Sequence, residues 1–207
     1  MSMSRATKFL ILLAVVVGIL AAGAASLLHD GLSARAQPSA LETALAGVMR
    51  KLAMPSAAHN ARNPVTNSPE VLREGRLHFA DHCAICHGNE GSGETAMGHG
   101  MYPKPPDLRA AQTQNRSDGE IFWIIENGVR LTGMPAFGGS GEHGNTEDSW
   151  KLVRFVRHLP ALTAEERIEM EKYNPKGPDD LEEEQRERDF LSGAPEKPSA
   201  QPEHHHH

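Results

Sequence analysis

The chain has 207 residues, a formal net charge of −6 at pH 7 and 39% hydrophobic residues, which is enough for one or two small domains. Its 21 Lys and Arg form no concentrated basic stripe, which excludes a nucleic-acid surface that works by neutralising phosphates. The acidity is local: from Glu165 to the end there are thirteen Asp and Glu against six Lys and Arg, a balance of −7, so the rest of the chain carries +1.

Arg5 and Lys8 precede a nearly unbroken apolar run, Phe9 to Leu28. That run is long enough to cross a bilayer as one helix and longer than the apolar part of an ordinary secretory signal. Residues 1–30 are therefore expected to form a retained single-pass anchor. The positive charges before the run stay in the cytoplasm and the rest is exported. Ala34-Arg35-Ala36 before Gln37 offers an alternative cleavage site, and cleavage there leaves the export unchanged. The expected setting is the bacterial inner membrane, with the following domain in the periplasm. Residues 31–67 read as a linker or wrapping extension, containing a candidate amphipathic helix from Ala40 to Lys51 and then Pro55, Asn60, Pro64 and Asn67. His59 reads as a solvent-exposed linker residue.

Ser68-Pro69-Glu70 marks a helix entrance, with serine as cap and proline at the first helical position. Val71, Leu72, Gly75 and Phe79 then form a stripe that can be buried against another helix, and Gly75 allows the two axes to approach closely.

Cys83-Ala84-Ile85-Cys86-His87 follows. This C-x-x-C-H pentad is the attachment signature of c-type haem: two thiols form thioethers with the porphyrin vinyl groups and the next imidazole ligates the iron. A thioredoxin-like redox pair is the weaker reading, since no βαβ pattern surrounds the motif. Half of a structural zinc site is weaker too, because the chain has two cysteines and a tetrahedral site needs two further ligands.

Gly88 to Gly93 reads as a loop, and the segment holding His99, Met101, Tyr102, Pro103, Pro105 and Pro106 as a stiff wall ending at Asp107-Leu108. Ser117-Asp118-Gly119-Glu120 is a capping box ahead of Ile121, Phe122, Ile124 and Ile125, and Asn127-Gly128 ends that helix. Trp123 reads as core packing. In Gly133-Met134-Pro135-Ala136-Phe137 the thioether of Met134 offers a soft ligand on a turn restrained by Pro135. Met134 is the expected second axial ligand, with Met97, Met101 and His99 as competitors. Gly138 to Gly144 reads as a loop, and Thr146 as the cap of a last helix that carries Trp150, Val153, Phe155, Val156 and Leu159 inward and closes at Pro160.

With these residues in view, positions 68–160 resemble a class I c-type cytochrome. The resemblance rests on Gly75-Arg76-Leu77-His78-Phe79, the pentad, Pro105-Pro106-Asp107-Leu108, Gly133 to Phe137, and Trp150 to Val156. It implies an all-α fold in which N- and C-terminal helices cross around one covalent haem c, with Cys83 and Cys86 as attachment points and His87 and Met134 as iron ligands. Iron closed on both faces favours outer-sphere transfer of single electrons over small-molecule chemistry. The expected role is a membrane-tethered mono-haem carrier between respiratory or other redox partners, with no small-molecule substrate and no enzymatic activity of its own. Two alternatives stand beside it: a fixed electron-transfer subunit of a membrane oxidoreductase complex, and a haem enzyme or gas sensor with a displaceable sixth ligand.

Residues 161–203 read as an acidic extension with helices near Thr163 and over Leu181 to Phe190, broken at Asn174-Pro175-Lys176-Gly177-Pro178. The terminal His204 to His207 read as a possible tag remnant outside the mechanism.

Overall fold

A computed structural model describes residues 4–29, 33–139 and 146–192. The terminal histidines and most of the expected loop from Gly138 to Gly144 lie outside the described residues. All regular structure among the described residues is helical, so the fold is all-α.

Helix α1, Arg5–His29, contains the apolar run, and its stretch Arg5–Ser26 is long and apolar enough to cross a membrane, with none of that stretch buried against protein. This single apolar N-terminal helix is consistent with membrane anchoring. Helix α2, Ala40–Ala53, begins at a complete capping box in which Ser39 and Glu42 satisfy each other's backbone N–H groups. It extends two residues past the sequence expectation.

The segment after α2 packs on the protein. Met54 is buried, and α3, Ser56–Asn60, rests against the helix that follows Ser117. Asn63 Nδ2 donates to the Trp150 carbonyl at 2.9 Å, and Arg154 Nε donates to the Val65 carbonyl at 2.9 Å. His59, expected to stand free in solvent, lies with Nδ1 3.1 Å from Glu120 Oε1. A polar linker composition conceals such contacts because most of them run to backbone carbonyls, which every residue supplies.

Helix α4, Pro69–His82, starts as expected, with the Ser68 hydroxyl accepting from the Val71 N–H. One turn, α5, Ala84–His87, carries the pentad. Two more short helices, α6 at Ala96–His99 and α7 at Ala111–Gln114, flank Pro103, Pro105 and Pro106. Helix α8, Asp118–Asn127, has the predicted Ser117 and Glu120 capping box and buries Ile121 and Ile125. Trp123 is only half-buried, a departure from the expected core role. Helix α9, Thr146–His158, buries Trp150, Leu152, Val153, Phe155 and Val156, and Pro160 turns its end into a short 3₁₀ turn.

The core is the contact of α4 with α9, the most extensive between any two helices. Gly75 makes it possible: a Cβ there would stand 2.4 Å from the Lys151 carbonyl oxygen and 3.2 Å from Phe155 Cβ. Below this point Phe79 and Phe155 pack with ring centroids 5.2 Å apart, and on the other side of α9 Phe122 stacks on Trp150 at 3.9 Å. Aromatic pairs at these distances add to simple area burial.

The acidic extension begins as part of the same packed unit. Helix α10, Ala164–Glu171, is capped by Thr163 and buries Met170 completely. Arg76 on α4 is itself buried and pairs with Glu166 at 2.5 Å and with Glu169. Asn174 Nδ2 donates to the Ala80 carbonyl at 2.9 Å, pinning the chain to the end of α4. Helix α11, Pro178–Ser192, follows and is largely exposed where its side chains are described.

Candidate functional site

Cys83 terminates α4 and Cys86 and His87 sit in the turn that follows. Every carbonyl of the pentad accepts a hydrogen bond. Cys83 O takes the N–H of His87 at 2.9 Å, Ala84 O that of Gly88 at 2.7 Å, and His87 O that of Gly93 at 2.7 Å. The Thr95 hydroxyl lies 2.9 Å from Ile85 O and 3.2 Å from Cys86 O, sharing one proton between them. Gly93 is required here: its φ is +74°, and a Cβ would meet the Pro105 carbonyl oxygen at 2.4 Å. Thr95 was missed by sequence reasoning. Its signal is weak, a threonine that also caps α6 by accepting from the Gly98 N–H at 2.8 Å.

Both cysteines are free thiols, neither fully covered. Burial pushes the Cys83 thiol up to about 12, with the neighbouring Cys86 and Asp81 adding to the effect, and burial also raises Cys86. Both therefore rest as thiols rather than thiolates at neutral pH. Burial pulls the His87 imidazole down, while the Pro106 carbonyl acts in the opposite direction without completing a hydrogen bond. A neutral imidazole is the form that binds a metal. His87 Nδ1 is buried with no hydrogen-bond partner, and Phe79 flanks the ring at a centroid distance of 6.4 Å.

Met134 lies half-buried in the loop after α8. Its carbonyl accepts from the Val129 N–H at 3.1 Å and its own N–H points to Thr132 Oγ1 at 3.2 Å. The Thr132 hydroxyl in turn donates to Val129 O at 2.7 Å. Phe137 N–H bonds to Ile125 O at 3.0 Å, returning the chain to α8. Thr132 is a second bracing residue that sequence reasoning passed over, although a threonine two residues before the amide it serves is a recognised local turn.

The segment from Gly93 to Met101 connects the two parts. Gly93 and Thr95 hold the pentad, while Met101 Sδ lies 2.8 Å from where a Cβ on Gly133 would stand. Of the competing ligands, Met97 is about half exposed, and His99 is exposed and pairs with Glu94 at 3.3 Å. Met101 packs against the Met134 loop at Gly133.

No group of three or more His, Cys, Asp or Glu able to hold a bare metal ion occurs among the described residues. The donors present suit a porphyrin iron instead, which takes four ligands from its own ring and needs only axial donors from protein. Two free thiols one helical turn apart, an imidazole held neutral by burial and a thioether on a braced loop fit that requirement.

No curated protein matches the chain. Residues 70–156, from the first turn of α4 to near the end of α9, match the family model described as cytochrome c oxidase, cbb3-type, subunit III.

Proposed function

We propose that residues 68–160 hold one covalent haem c and that the chain serves as a fixed electron-transfer subunit of a membrane-bound respiratory redox complex. The carrying observation is the pentad itself, folded as one turn with both thiols free and every carbonyl satisfied. The likeness of residues 70–156 to a subunit of a terminal oxidase favours the fixed-subunit alternative over a free shuttle, and the apolar span of α1 supports a membrane setting. When bound, the haem iron supplies a one-electron couple.

The chain's residues have separable tasks in this reading. Cys83 and Cys86 would hold the ring through thioethers, bonds that persist when the surrounding helices unfold. His87 would ligate the iron, and the hydrogen-bonded carbonyls around it hold the turn that carries the imidazole. Met134 would supply a thioether to the iron, a donor that favours the reduced state more than a second imidazole would. The crossing of α4 and α9 at Gly75, with Phe79 and Phe155 below it, gives the pocket a rigid back wall. The crossed-helix plan of class I cytochromes c is the arrangement these contacts support best.

Mild solubilisation of native membranes tests this function. Co-purification with other redox subunits at a fixed stoichiometry is the expected result, and a protein that exchanges freely returns the role to a shuttle. Carbon monoxide added to the reduced protein separates both from a haem enzyme or gas sensor. Little binding is expected with Met134 in place, and prompt binding contradicts closed ligation.

A further inference from the structure

Helix α2 carries a feature that the electron-transfer reading leaves unused. Leu41, Leu45, Val48, Met49 and Leu52 recur at the spacing of one helical stripe and are between 55% and 82% exposed. The helix buries none of its own residues. It is nevertheless well formed, with a complete capping box at Ser39 and basic residues Arg50 and Lys51 in its last turn.

It touches the protein at a few points only, and Gly47 on the side away from the stripe has nothing within 4 Å of where a Cβ would stand. The Tyr102 hydroxyl donates to Glu42 Oε1 at 3.0 Å, Arg50 is half-buried and feels the charge of Arg116, and Met54 immediately after the helix is buried. On a helical projection Glu42 flanks the apolar stripe and Arg50 lies opposite it, so the contacts with the domain leave the stripe facing away. The next question is what covers it.

We propose that α2 lies in the interfacial layer of the same membrane that α1 crosses, its leucine stripe in the acyl boundary. Continuity supports this occupant: α2 begins at Ala40, after a span ending at Ser26, and even a fully extended connection reaches only about 50 Å. The composition suits an in-plane helix, with an apolar face, Arg50 on the side away from it and a lysine, Lys51, placed to extend toward headgroups. Through Tyr102 and Met54 the helix fixes which side of the domain meets the bilayer. That is the side of Tyr102 and of its neighbour Met101, which packs on Gly133 in the Met134 loop. The inference rests on α1 remaining attached and on no property of the haem.

The test uses the full chain in nanodiscs of phosphatidylcholine and phosphatidylglycerol containing a lipid with a photoactivatable acyl chain, followed by peptide mapping. Label is expected on α1 and on Leu41, Leu45, Val48 and Leu52, while Thr43 and Arg50 stay clear. The double variant Leu45→Glu, Val48→Glu is expected to lose the α2 label and keep that on α1, with its haem spectrum unchanged. Label confined to α1 in the unaltered chain overturns the proposal. So does protection of the stripe by a second copy or by residues 178–192, seen as protein crosslinks in place of lipid label. An absent haem spectrum with α2 still labelled overturns the electron-transfer reading and leaves this one standing.

Discussion

The two faces of the candidate site are built to different standards. Around His87, all five pentad carbonyls are hydrogen-bonded and Gly93 seats the following loop against Pro105. Around Met134 two backbone bonds inside the loop, Val129 N–H to Met134 O and Thr132 N–H to Val129 O, the Thr132 hydroxyl and the return at Phe137 and Gly138 hold the chain, which carries Leu131 at φ +63° and 92% exposed. A non-glycine residue in the left-handed region costs about 1 kcal/mol or more. The imidazole side is a fixed wall and the sulfur side is the compliant one, so perturbations of equal chemistry should act unequally on the two.

The largest effect is expected from removing both thiols. Cys83→Ala with Cys86→Ala is predicted to abolish retention of haem after denaturation, and either single change to leave one attachment; absorption spectra in denaturant read both outcomes. Next comes Gly75→Val, which drives a branched side chain into the Lys151 carbonyl and the base of Phe155. Overpacking of this kind costs roughly 3 kcal/mol, and a thermal melt should show it, because backbone stands in the way and cannot turn aside as a side chain can.

Arg76→Ala tests how firmly α10 belongs to the wall. It strips Glu166 and Glu169 of their buried partner, with an expected loss of about 2 kcal/mol, below the full cost of breaking a buried pair because both carboxylates keep some water. The same contact has a pH signature. Burial pushes Glu166 up, but its hydrogen bond with the Thr163 backbone, His158 and the charge of Arg76 outweigh burial and leave it lowered. A carboxylate lowered on folding contributes stability above its unfolded pKa, and that contribution is lost as pH falls through the folded value. Helix α10 should therefore loosen in acid below the ordinary carboxylate range, which hydrogen exchange over residues 164–171 can follow, and the Arg76→Ala variant should show a weaker acid dependence there.

The smallest of these effects is the one aimed at the compliant side. Thr132→Val removes the hydroxyl that joins Val129 O to the Met134 amide. Loss of a single hydrogen bond is worth about 1 kcal/mol, so an external imidazole should compete with Met134 roughly fivefold better. The matching change near the pentad, Thr95→Val, is expected to leave that competition unchanged and to lower thermal stability instead. Equal responses in the two variants contradict the asymmetry.

Much of the fold could be read from the residues because local rules carried it. Ser68, Ser117 and Thr163 cap the helices expected of them, and Gly75 marks the close contact of α4 with α9. What stayed hidden depended on distant partners. Nothing near His59 points to Glu120, the composition of 161–174 reads as solvated charge although Met170 is fully buried, and Arg76 looks like a surface residue until Glu166 and Glu169 fold back onto it. At the proposed haem site, the pentad and Met134 are suggested by residue type. Thr95 and Thr132 are not, because a threonine that braces a backbone carbonyl looks the same in sequence as one that faces water.

Mature protein isolated from its native membrane and unfolded in denaturant offers the most direct measurement, with intact mass and absorption recorded on the same sample. One porphyrin iron retained on the unfolded polypeptide, its mass added to that of the chain and lost when Cys83 and Cys86 are both replaced, is the predicted result. A chain whose mass is that of its amino acids alone, with any colour released on unfolding, would contradict it.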